Sequence, residues 1–251
     1  MSRIAPRLVS VLVRGEELGA FADAAPTSHL KVFLPAPGQD EPLLPEFLPE
    51  GQPIPEDARP SVRTYTPRRF DAAAGTLEIQ FVLHGAGPAS EWAERASAGD
   101  KLAVAGPGGR FVMDTAAERW WIAGDESAIP AVATLLEALP APVAAEVHIE
   151  VADADDEVDF DGPVKTEITW HHRRSPGAFG AELDEAARSA AIAEGTKVWV
   201  ACEAASMRGI RRYFLGERRI PASSLTTRGY WRLGEANHPD HDYGDDELAA
   251  R

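Results

Sequence analysis

The first candidate for chemistry is a basic and aromatic segment, Arg63-Thr64-Tyr65-Thr66-Pro67-Arg68-Arg69. Its guanidinium groups suit bidentate contact with phosphate, and a tyrosine ring can cover a flat heterocycle. An exposed strand with scattered charges explains the same residues equally well. The segment therefore predicts either a site for a phosphorylated aromatic ligand or a solvated strand.

A second candidate is the glycine-rich turn Gly85-Ala86-Gly87, which follows a predicted strand ending at His84. Pro88 stands where the first residue of a helix belongs. The N–H groups of Ala89 and Ser90, with the Ser90 hydroxyl, would then point out of a helix start and favour an anion. The alternative is an ordinary turn before a capped helix. The pattern is neither a GxGxxG dinucleotide fingerprint nor a P-loop.

A third candidate, Gly124-Asp125-Glu126-Ser127-Ala128, follows a short apolar strand predicted over residues 120–123. Open α/β sheets bind ligands at the carboxyl ends of their strands. Two adjacent carboxylates would repel a pyrophosphate, so a nicotinamide cofactor would meet the backbone and the Ser127 hydroxyl instead. Simple helix capping is the alternative interpretation.

The elements that would position these residues differ between the two halves of the chain. In the first half, period-2 alternation predicts strands over residues 29–34, 76–84 and 101–105, and the proline-rich residues 35–60 predict a surface loop. In the second half, strands over 120–123, 145–151, 164–170 and 197–201 alternate with helices over 128–139, 183–193 and 204–214. We predict an antiparallel β-barrel (residues 1–115), an α/β domain with a mostly parallel sheet (116–236) and an acidic C-terminal tail (237–251).

Composition narrows the functional classes. The 251 residues include 40 acidic and 25 basic side chains, a formal charge of -15 that disfavours nucleic acid and anionic lipid as partners. One cysteine, Cys202, excludes an internal disulfide and a cysteine-based metal cage. With no run that predicts a membrane span and no predicted signal peptide, we expect a cytoplasmic protein. The tail residues His238, Asp240, His241 and Asp242 are expected to be disordered rather than to form a metal site.

Taken in chain order, these motifs resemble the siderophore-interacting proteins, the FAD-dependent ferric-siderophore reductases related to the ferredoxin reductases. The further matching pieces are Gly99-Asp100, Gly106-Pro107-Gly108-Gly109, Trp170-His171-His172-Arg173, the Glu203 segment and Gly229-Tyr230-Trp231-Arg232. The resemblance implies an N-terminal FAD-binding β-barrel followed by an NAD(P)H-binding α/β domain. It also implies hydride transfer from NADH or NADPH to flavin and single-electron reduction of siderophore-bound Fe(III), without a catalytic acid or base.

Residue by residue, the resemblance implies three groups of contacts. The flavin nucleotide would meet Arg63, Thr64, Tyr65, Thr66, Val82, Leu83, His84, Gly85, Pro88, Ala89, Ser90 and Trp231. The nicotinamide dinucleotide would meet Gly124, Asp125, Glu126, Ser127, Ala128 and Glu203. The ferric siderophore would meet Lys31 and Arg232.

Other readings of the sequence remain open. Asp153, after the second strand of the α/β half, favours a ribose 2′-OH and hence NADH, although Arg173 and Arg174 offset it. Cys202 stands where the family pattern has glycine, and packing as a small buried side chain is the simplest role for it. A flavin reductase, an electron donor to a protein partner, ferredoxin as the electron source, and a siderophore-binding module without enzymatic activity are the alternatives.

Overall fold

The computed structural model describes residues 1–45, 48–49, 52–85, 87–109, 111–160, 166–239 and 241–244. The chain divides into two compact units, Met1–Phe111 and Val112–Arg251. The division falls four residues before the boundary predicted from the sequence. Within the described residues, no helix is long and apolar enough to cross a membrane.

The first unit is built from antiparallel strands. They are β1 (Ser2–Ala5), β2 (Leu8–Arg14), β3 (His29–Leu34), β4 (Ser61–Tyr65), β5 (Pro67–Asp71), β6 (Thr76–Val82) and β7 (Ala103–Gly108), and the described part of the unit also has one α-helix, α1 (Pro88–Arg95). The strands form two sheets with the orders β1-β2-β6-β5 and β4-β3-β7. β4 therefore lies at the edge of its sheet. The predicted antiparallel β architecture of this half is confirmed.

Alternation of side chains builds the core of this unit. Leu77, Ile79 and Phe81 on β6 are fully buried, as are Leu30 and Val32 on β3, because residues two apart on a strand face the same side. α1 closes over this core with its own buried face. The helix start is thereby fixed against the sheet.

The second unit is an α/β sandwich. Its elements are β8 (Arg119–Asp125), α2 (Ile129–Ala138), β9 (Ala144–Val151), β10 (Thr166–His172), α3 (Ala181–Ser189), β11 (Lys197–Glu203), α4 (Ala204–Arg212) and β12 (Leu225–Trp231). The five strands have the order β10-β9-β8-β11-β12, and every neighbouring pair is parallel. The predicted parallel sheet is confirmed, and all five carboxyl ends meet at one edge.

Several element bounds differ from the predictions. The strand predicted over 164–170 runs from Thr166 to His172, and residues 161–165 lie outside the described part of the chain. The helix predicted over 183–193 runs from Ala181 to Ser189. The basic helix ends as α-helix at Arg212 and continues as a π-helical turn, Tyr213–Glu217.

The prediction of a disordered C-terminal tail is wrong for the residues that the structure describes there. His238 and Asp242 side chains are each only 5% exposed, with 2.7 Å between His238 Nε2 and Asp242 Oδ2. Arg208 on α4 adds an ion pair of 2.8 Å to the same carboxylate oxygen. The Gly229 N–H of β12 donates to the Asp242 carbonyl over 2.9 Å. Buried polar contacts thus hold this acidic segment on the α/β unit, while Asp240 and residues 245–251 lie outside the description.

Candidate functional site

The edge strand β4 carries the basic and aromatic residues, and its geometry divides them between two faces. Arg63 pairs in register with Val32 and Tyr65 with Leu30, so both point to the same side of the sheet as these core residues. All five residues of β4 remain partly exposed. The sheet edge therefore offers a guanidinium and a phenol on one accessible strand.

Tyr65 is anchored by an aromatic chain that leads to the start of α1. Its ring lies 4.4 Å from that of Phe81, which lies 5.8 Å from the Trp92 ring on α1. Burial raises the pKa of the Tyr65 phenol, and the nearby Arg63 opposes that rise only in part. Tyr65 is thus neutral at physiological pH and held rigidly beside the helix.

Thr64 lies on the opposite face of β4 from Arg63 and Tyr65. Lys31 is its register partner on β3, and the Lys31 ammonium donates to Thr64 Oγ1 over 2.7 Å. A residue predicted to bind cofactor and one predicted to bind substrate are therefore joined directly. The sequence prediction grouped four consecutive residues, which a strand cannot direct at one ligand through their side chains.

The turn before α1 is closed by Ser90. The His84 N–H donates to Ser90 Oγ over 3.1 Å, and the Ser90 side chain is buried. Gly85 and Gly87 have φ of 76° and 95°, in the region that glycine tolerates best. The hydroxyl serves as an acceptor in this turn and keeps its hydrogen for donation to a second partner.

These groups fit the FAD that the resemblance implies. A guanidinium and the first-turn N–H groups of a helix suit a pyrophosphate, and a neutral phenol ring suits a flat heterocycle. Arg63 Nη1 is held by the Val62 carbonyl at 2.7 Å, which leaves its other donors for a ligand. The donor set of β4 and the α1 turn is therefore chemically suited to a flavin dinucleotide.

In the second unit, Asp125 connects the carboxyl ends of three strands. Its Oδ1 accepts from the Ser127 N–H at 3.0 Å and from the Ser127 hydroxyl. Its Oδ2 accepts from the Glu203 N–H at 2.9 Å and from Trp231 Nε1 at 2.8 Å. The Ser127 hydroxyl that the sequence offered to a cofactor therefore already donates within the chain.

The preceding Gly124 permits this arrangement by its lack of a side chain. A Cβ there would lie 2.6 Å from the Ala128 Cβ and 3.1 Å from the Ala201 carbonyl oxygen. Asp125 itself is 1% exposed. Burial and the neighbouring Glu126 carboxylate raise the pKa of Asp125 to about 7, against the lowering effect of its hydrogen bonds.

Two further buried carboxylates cap helices at the same edge. Glu150 at the end of β9 accepts from the Gly180 N–H at 2.8 Å and from the Glu182 N–H at 3.1 Å. Glu203 at the end of β11 accepts from the Ala205 and Ser206 N–H groups at 2.7 and 3.0 Å. We call Asp125, Glu150 and Glu203 the strand-end carboxylates. They satisfy helix-start N–H groups that an open sheet otherwise offers to a dinucleotide phosphate.

Arg173 balances part of this negative charge. It forms a bidentate pair with Glu126 over 2.6 and 2.7 Å and lies 3.5 Å from Glu150. Its guanidinium also lies 5.0 Å from the centroid of the Phe179 ring, which meets the Trp231 ring edge-on at 4.8 Å. The carboxyl edge of the parallel sheet thus presents the rings of Phe179 and Trp231, which suit a flat ligand. The helix-start N–H groups that would suit a phosphate are bound by the strand-end carboxylates.

The sequence analysis missed the roles of Glu150, Phe179 and Arg173. An acid at the end of a strand, followed by a helix, was a usable signal for Asp125 and Glu203, whereas the strand of Glu150 is followed by β10 and not by the helix that Glu150 caps. The partners of Glu150 lie 30 and 32 residues away, so spacing alone does not reveal them. Of the predicted substrate residues, Arg232 pairs with Glu235 over 3.2 Å.

An antiparallel β unit followed by a parallel α/β unit is the fold of solved ferredoxin reductases, which this chain resembles with TM-scores of 0.63 and 0.64 at 18% and 15% identity. Residues 1–111 match the siderophore-interacting FAD-binding domain, and residues 117–234 match the siderophore-interacting protein family. The chain belongs to the siderophore-interacting protein family.

Individual relatives support this assignment. The chain is 32% identical over 245 residues to the ferric vibriobactin reductase ViuB of Vibrio cholerae, covering 95% of this chain and 89% of that protein. It is 37% identical over 139 residues to the NADPH-dependent ferric-chelate reductase of Escherichia coli, covering 55% of this chain and 54% of that protein. The crystal structure of a siderophore utilization protein from T. fusca is similar with a TM-score of 0.79 and 35% identity, covering 96% and 92% of the two chains.

Proposed function

We propose that this chain is an FAD-dependent ferric-siderophore reductase that uses NADH or NADPH. Bound FAD supplies the chemistry, because a flavin accepts a hydride from a reduced nicotinamide and passes the two electrons one at a time to Fe(III). One hydride therefore reduces two ferric ions to Fe(II). Hard-oxygen chelators hold Fe(III) more tightly than Fe(II), so reduction releases the metal. The observation that carries the proposal is the match of both halves, in order, to the two domains of this family.

The first unit binds FAD in this proposal. Arg63 and the start of α1 hold the pyrophosphate, with Pro88, Ala89 and Ser90 at the helix start. Tyr65 and Thr66 contact the flavin ring, and residues 82–85 line the ring or the ribose. Thr64 contributes through its backbone, because its side chain holds Lys31 on the other face. The neutral, rigidly packed Tyr65 orients the ring and excludes water from one side of it.

The second unit receives the nicotinamide. Residues 124–128 and Glu203 border its site through their backbone, since the carboxylates of Asp125 and Glu203 already hold N–H groups of the chain. Trp231, which the resemblance assigns to the flavin, is held by Asp125 in the second unit, and in this proposal it forms an aromatic wall of the nicotinamide site. Ferredoxin is the alternative electron source, and replacing the nicotinamide by reduced ferredoxin in the same assay decides between them.

Lys31 and Arg232 attract the ferric chelate in this proposal. Lys31 is positioned by Thr64, and Arg232 by Glu235, so each cation has a fixed direction. No side chain needs to form a bond to iron, since electron transfer requires proximity alone. We place the protein in the cytoplasm, where the buried thiol of Cys202 stays reduced.

The purified full-length chain tests the proposal directly. Bound flavin gives absorbance bands near roughly 380 and 450 nm, and NADH or NADPH should be consumed when ferric chelates are added. A colourless protein that neither takes up FAD nor oxidises nicotinamide with ferric chelates would leave a siderophore-binding module instead. Oxidation of nicotinamide without formation of Fe(II) would favour a flavin reductase.

Arg63→Ala tests the FAD site itself. Loss of a charge-assisted phosphate contact is expected to weaken FAD retention about tenfold or more, measured by fluorescence titration. Arg14→Ala, at the exposed end of β2, is the matched control and should bind FAD as the wild type does. Unchanged FAD affinity in Arg63→Ala would remove the pyrophosphate assignment of this residue.

A further inference from the structure

A closed ring of contacts surrounds Trp231 at the carboxyl edge of the α/β unit. Asp125 Oδ2 accepts from the indole N–H at 2.8 Å, and the indole meets Phe179 edge-on at 4.8 Å. Phe179 lies under the Arg173 guanidinium at 5.0 Å, and Arg173 is paired with Glu126, the residue next to Asp125. Each of these side chains therefore restrains the next one, and the series of contacts closes because Glu126 adjoins Asp125 in the sequence.

The backbone of β12 is irregular just where it presents the indole. Cys202 pairs with Gly229, but the next residue of β11, Glu203, pairs with Trp231, so Tyr230 is an extra residue on β12. A bulge of this kind redirects the side chain that follows it. The N–H of Glu203 donates to the same Asp125 oxygen that receives the indole hydrogen. The carboxylate therefore fixes both strands at the point where the bulge turns Trp231.

We propose that Asp125 is a positioning residue that sets the orientation of Trp231 through its indole N–H, so that the indole forms the aromatic wall of the electron-donor site. The inference rests on the proposed function for the site itself. The hydrogen bond between Asp125 and Trp231 joins two side chains of the protein and does not require a bound cofactor. Both oxygens of Asp125 accept hydrogen bonds, and an asparagine has only one acceptor oxygen, so it would lose the donors that the second oxygen holds.

The charge of Asp125 gives the proposal an observable. Its pKa is raised to about 7, so the group changes protonation near neutral pH. The titratable groups that interact with it are Glu126 beside it in the chain, Arg173 after β10, Cys202 on β11 and Tyr230 on β12. Glu203 on β11 contacts Asp125 through its backbone N–H. A charged acceptor shortens and strengthens a hydrogen bond, so the indole hydrogen should sense the titration.

The decisive measurement is the indole region of a ¹H–¹⁵N NMR spectrum of the full-length chain, which has six tryptophans. Trp231→Phe identifies the Trp231 signal by its loss. We expect this signal to move as the pH is lowered from about 8 to about 6, and to stop moving in Asp125→Asn. The matched control is Asp71→Asn, which removes a turn-capping carboxylate in the other unit and should leave the titration intact.

A Trp231 indole signal with the same chemical shift in the wild type and in Asp125→Asn would overturn the proposal, because the Asp125 side chain would then not hold the indole N–H. Persistence of the titration in Asp125→Asn would overturn it as well, because another group would then be responsible. Neither readout depends on bound FAD, so failure of the reductase assignment and failure of this inference are distinguishable.

Steady-state kinetics separate positioning from general stabilisation. Asp125→Asn and Trp231→Phe are each expected to lower kcat/KM for the nicotinamide about tenfold, the scale of one hydrogen bond to a charged group. If Asp125 acts through Trp231, the double variant should lose no more than either single variant. Multiplied losses in the double variant would show independent roles and contradict the proposal.

Discussion

Removal of the Glu150 carboxylate is expected to release α3 from the sheet. Glu150 is fully buried at the end of β9 and accepts from the Gly180 and Glu182 N–H groups, which are buried as well. Burial raises the pKa of Glu150, while the two N–H donors and Arg173 oppose that rise. Because the Glu150 carboxylate accepts both hydrogen bonds, its removal leaves the buried N–H groups of Gly180 and Glu182 without that acceptor.

The magnitude follows from the contacts. In Glu150→Ala, each unsatisfied buried N–H costs about 1–3 kcal/mol. Arg173 also loses one of its two carboxylate neighbours. We expect a loss of about 3–4 kcal/mol in the free energy of unfolding, and about half of that in Glu150→Gln, which keeps one acceptor oxygen.

Urea unfolding followed by circular dichroism measures the effect, with the slope of the transition checked for change. Glu157→Ala is the matched control, because Glu157 pairs with His172 over 2.8 Å while both side chains are about 40% exposed. An exposed pair of this kind is worth less than about 1 kcal/mol. If Glu150→Ala loses no more than Glu157→Ala, the carboxylate does not hold α3.

Three further outcomes are expected. Gly180→Ala should lower the free energy of unfolding by about 3 kcal/mol, because a Cβ there would clash with the Ser206 side chain. Gly177 also has a positive φ but faces open space, so Gly177→Ala should lower the free energy of unfolding by only about 1 kcal/mol. Equal losses in the two variants would contradict the close packing of Gly180 against Ser206. As pH rises from about 4 to about 7, the wild type should lose stability relative to Asp125→Asn. The reason is that the pKa of Asp125 is about 7 in the folded state and 3.8 in the unfolded chain, so the unfolded chain releases the proton first. Urea midpoints of the two proteins that change in parallel across this pH range would contradict the prediction. Burial raises the pKa of the Cys202 thiol, so Ellman's reagent should react with it only after unfolding in guanidinium, and rapid reaction of the native protein would refute its burial.

Elements whose buried face is apolar were predictable from the sequence. Thr76–Val82 alternates, and its buried residues are the apolar Leu77, Ile79 and Phe81. β2 was missed because Leu8–Arg14 is a nearly continuous apolar run, and period 2 is absent from it. β12 was missed for the opposite reason, because its inward positions after Leu225 are Thr227 and Gly229, which carry no apolar signal.

The candidate site was predictable in its residue types and not in its contacts. Asp125 and Trp231 were both singled out, yet they are 106 residues apart, and nothing in either segment indicates that one binds the other. The same holds for Lys31 and Thr64, which a register between two strands joins. Local patterns reveal a capping turn or a strand, whereas the pairing of distant polar groups depends on the topology of the sheet.

The segment that follows β12 has a consequence for how the molecule behaves among its own copies. β12 is an outer strand of the parallel sheet, but its Gly229 N–H is bound by the Asp242 carbonyl, and the Thr227 hydroxyl donates to the Tyr243 carbonyl. Arg228 stacks on the Tyr243 ring at 4.2 Å. An N–H that is already bound and a strand edge that is covered by another segment are less available for pairing with a neighbouring chain. Residues 242–243 therefore cover the outer edge of β12 and disfavour edge-to-edge association of the sheet with another copy of the chain on this side.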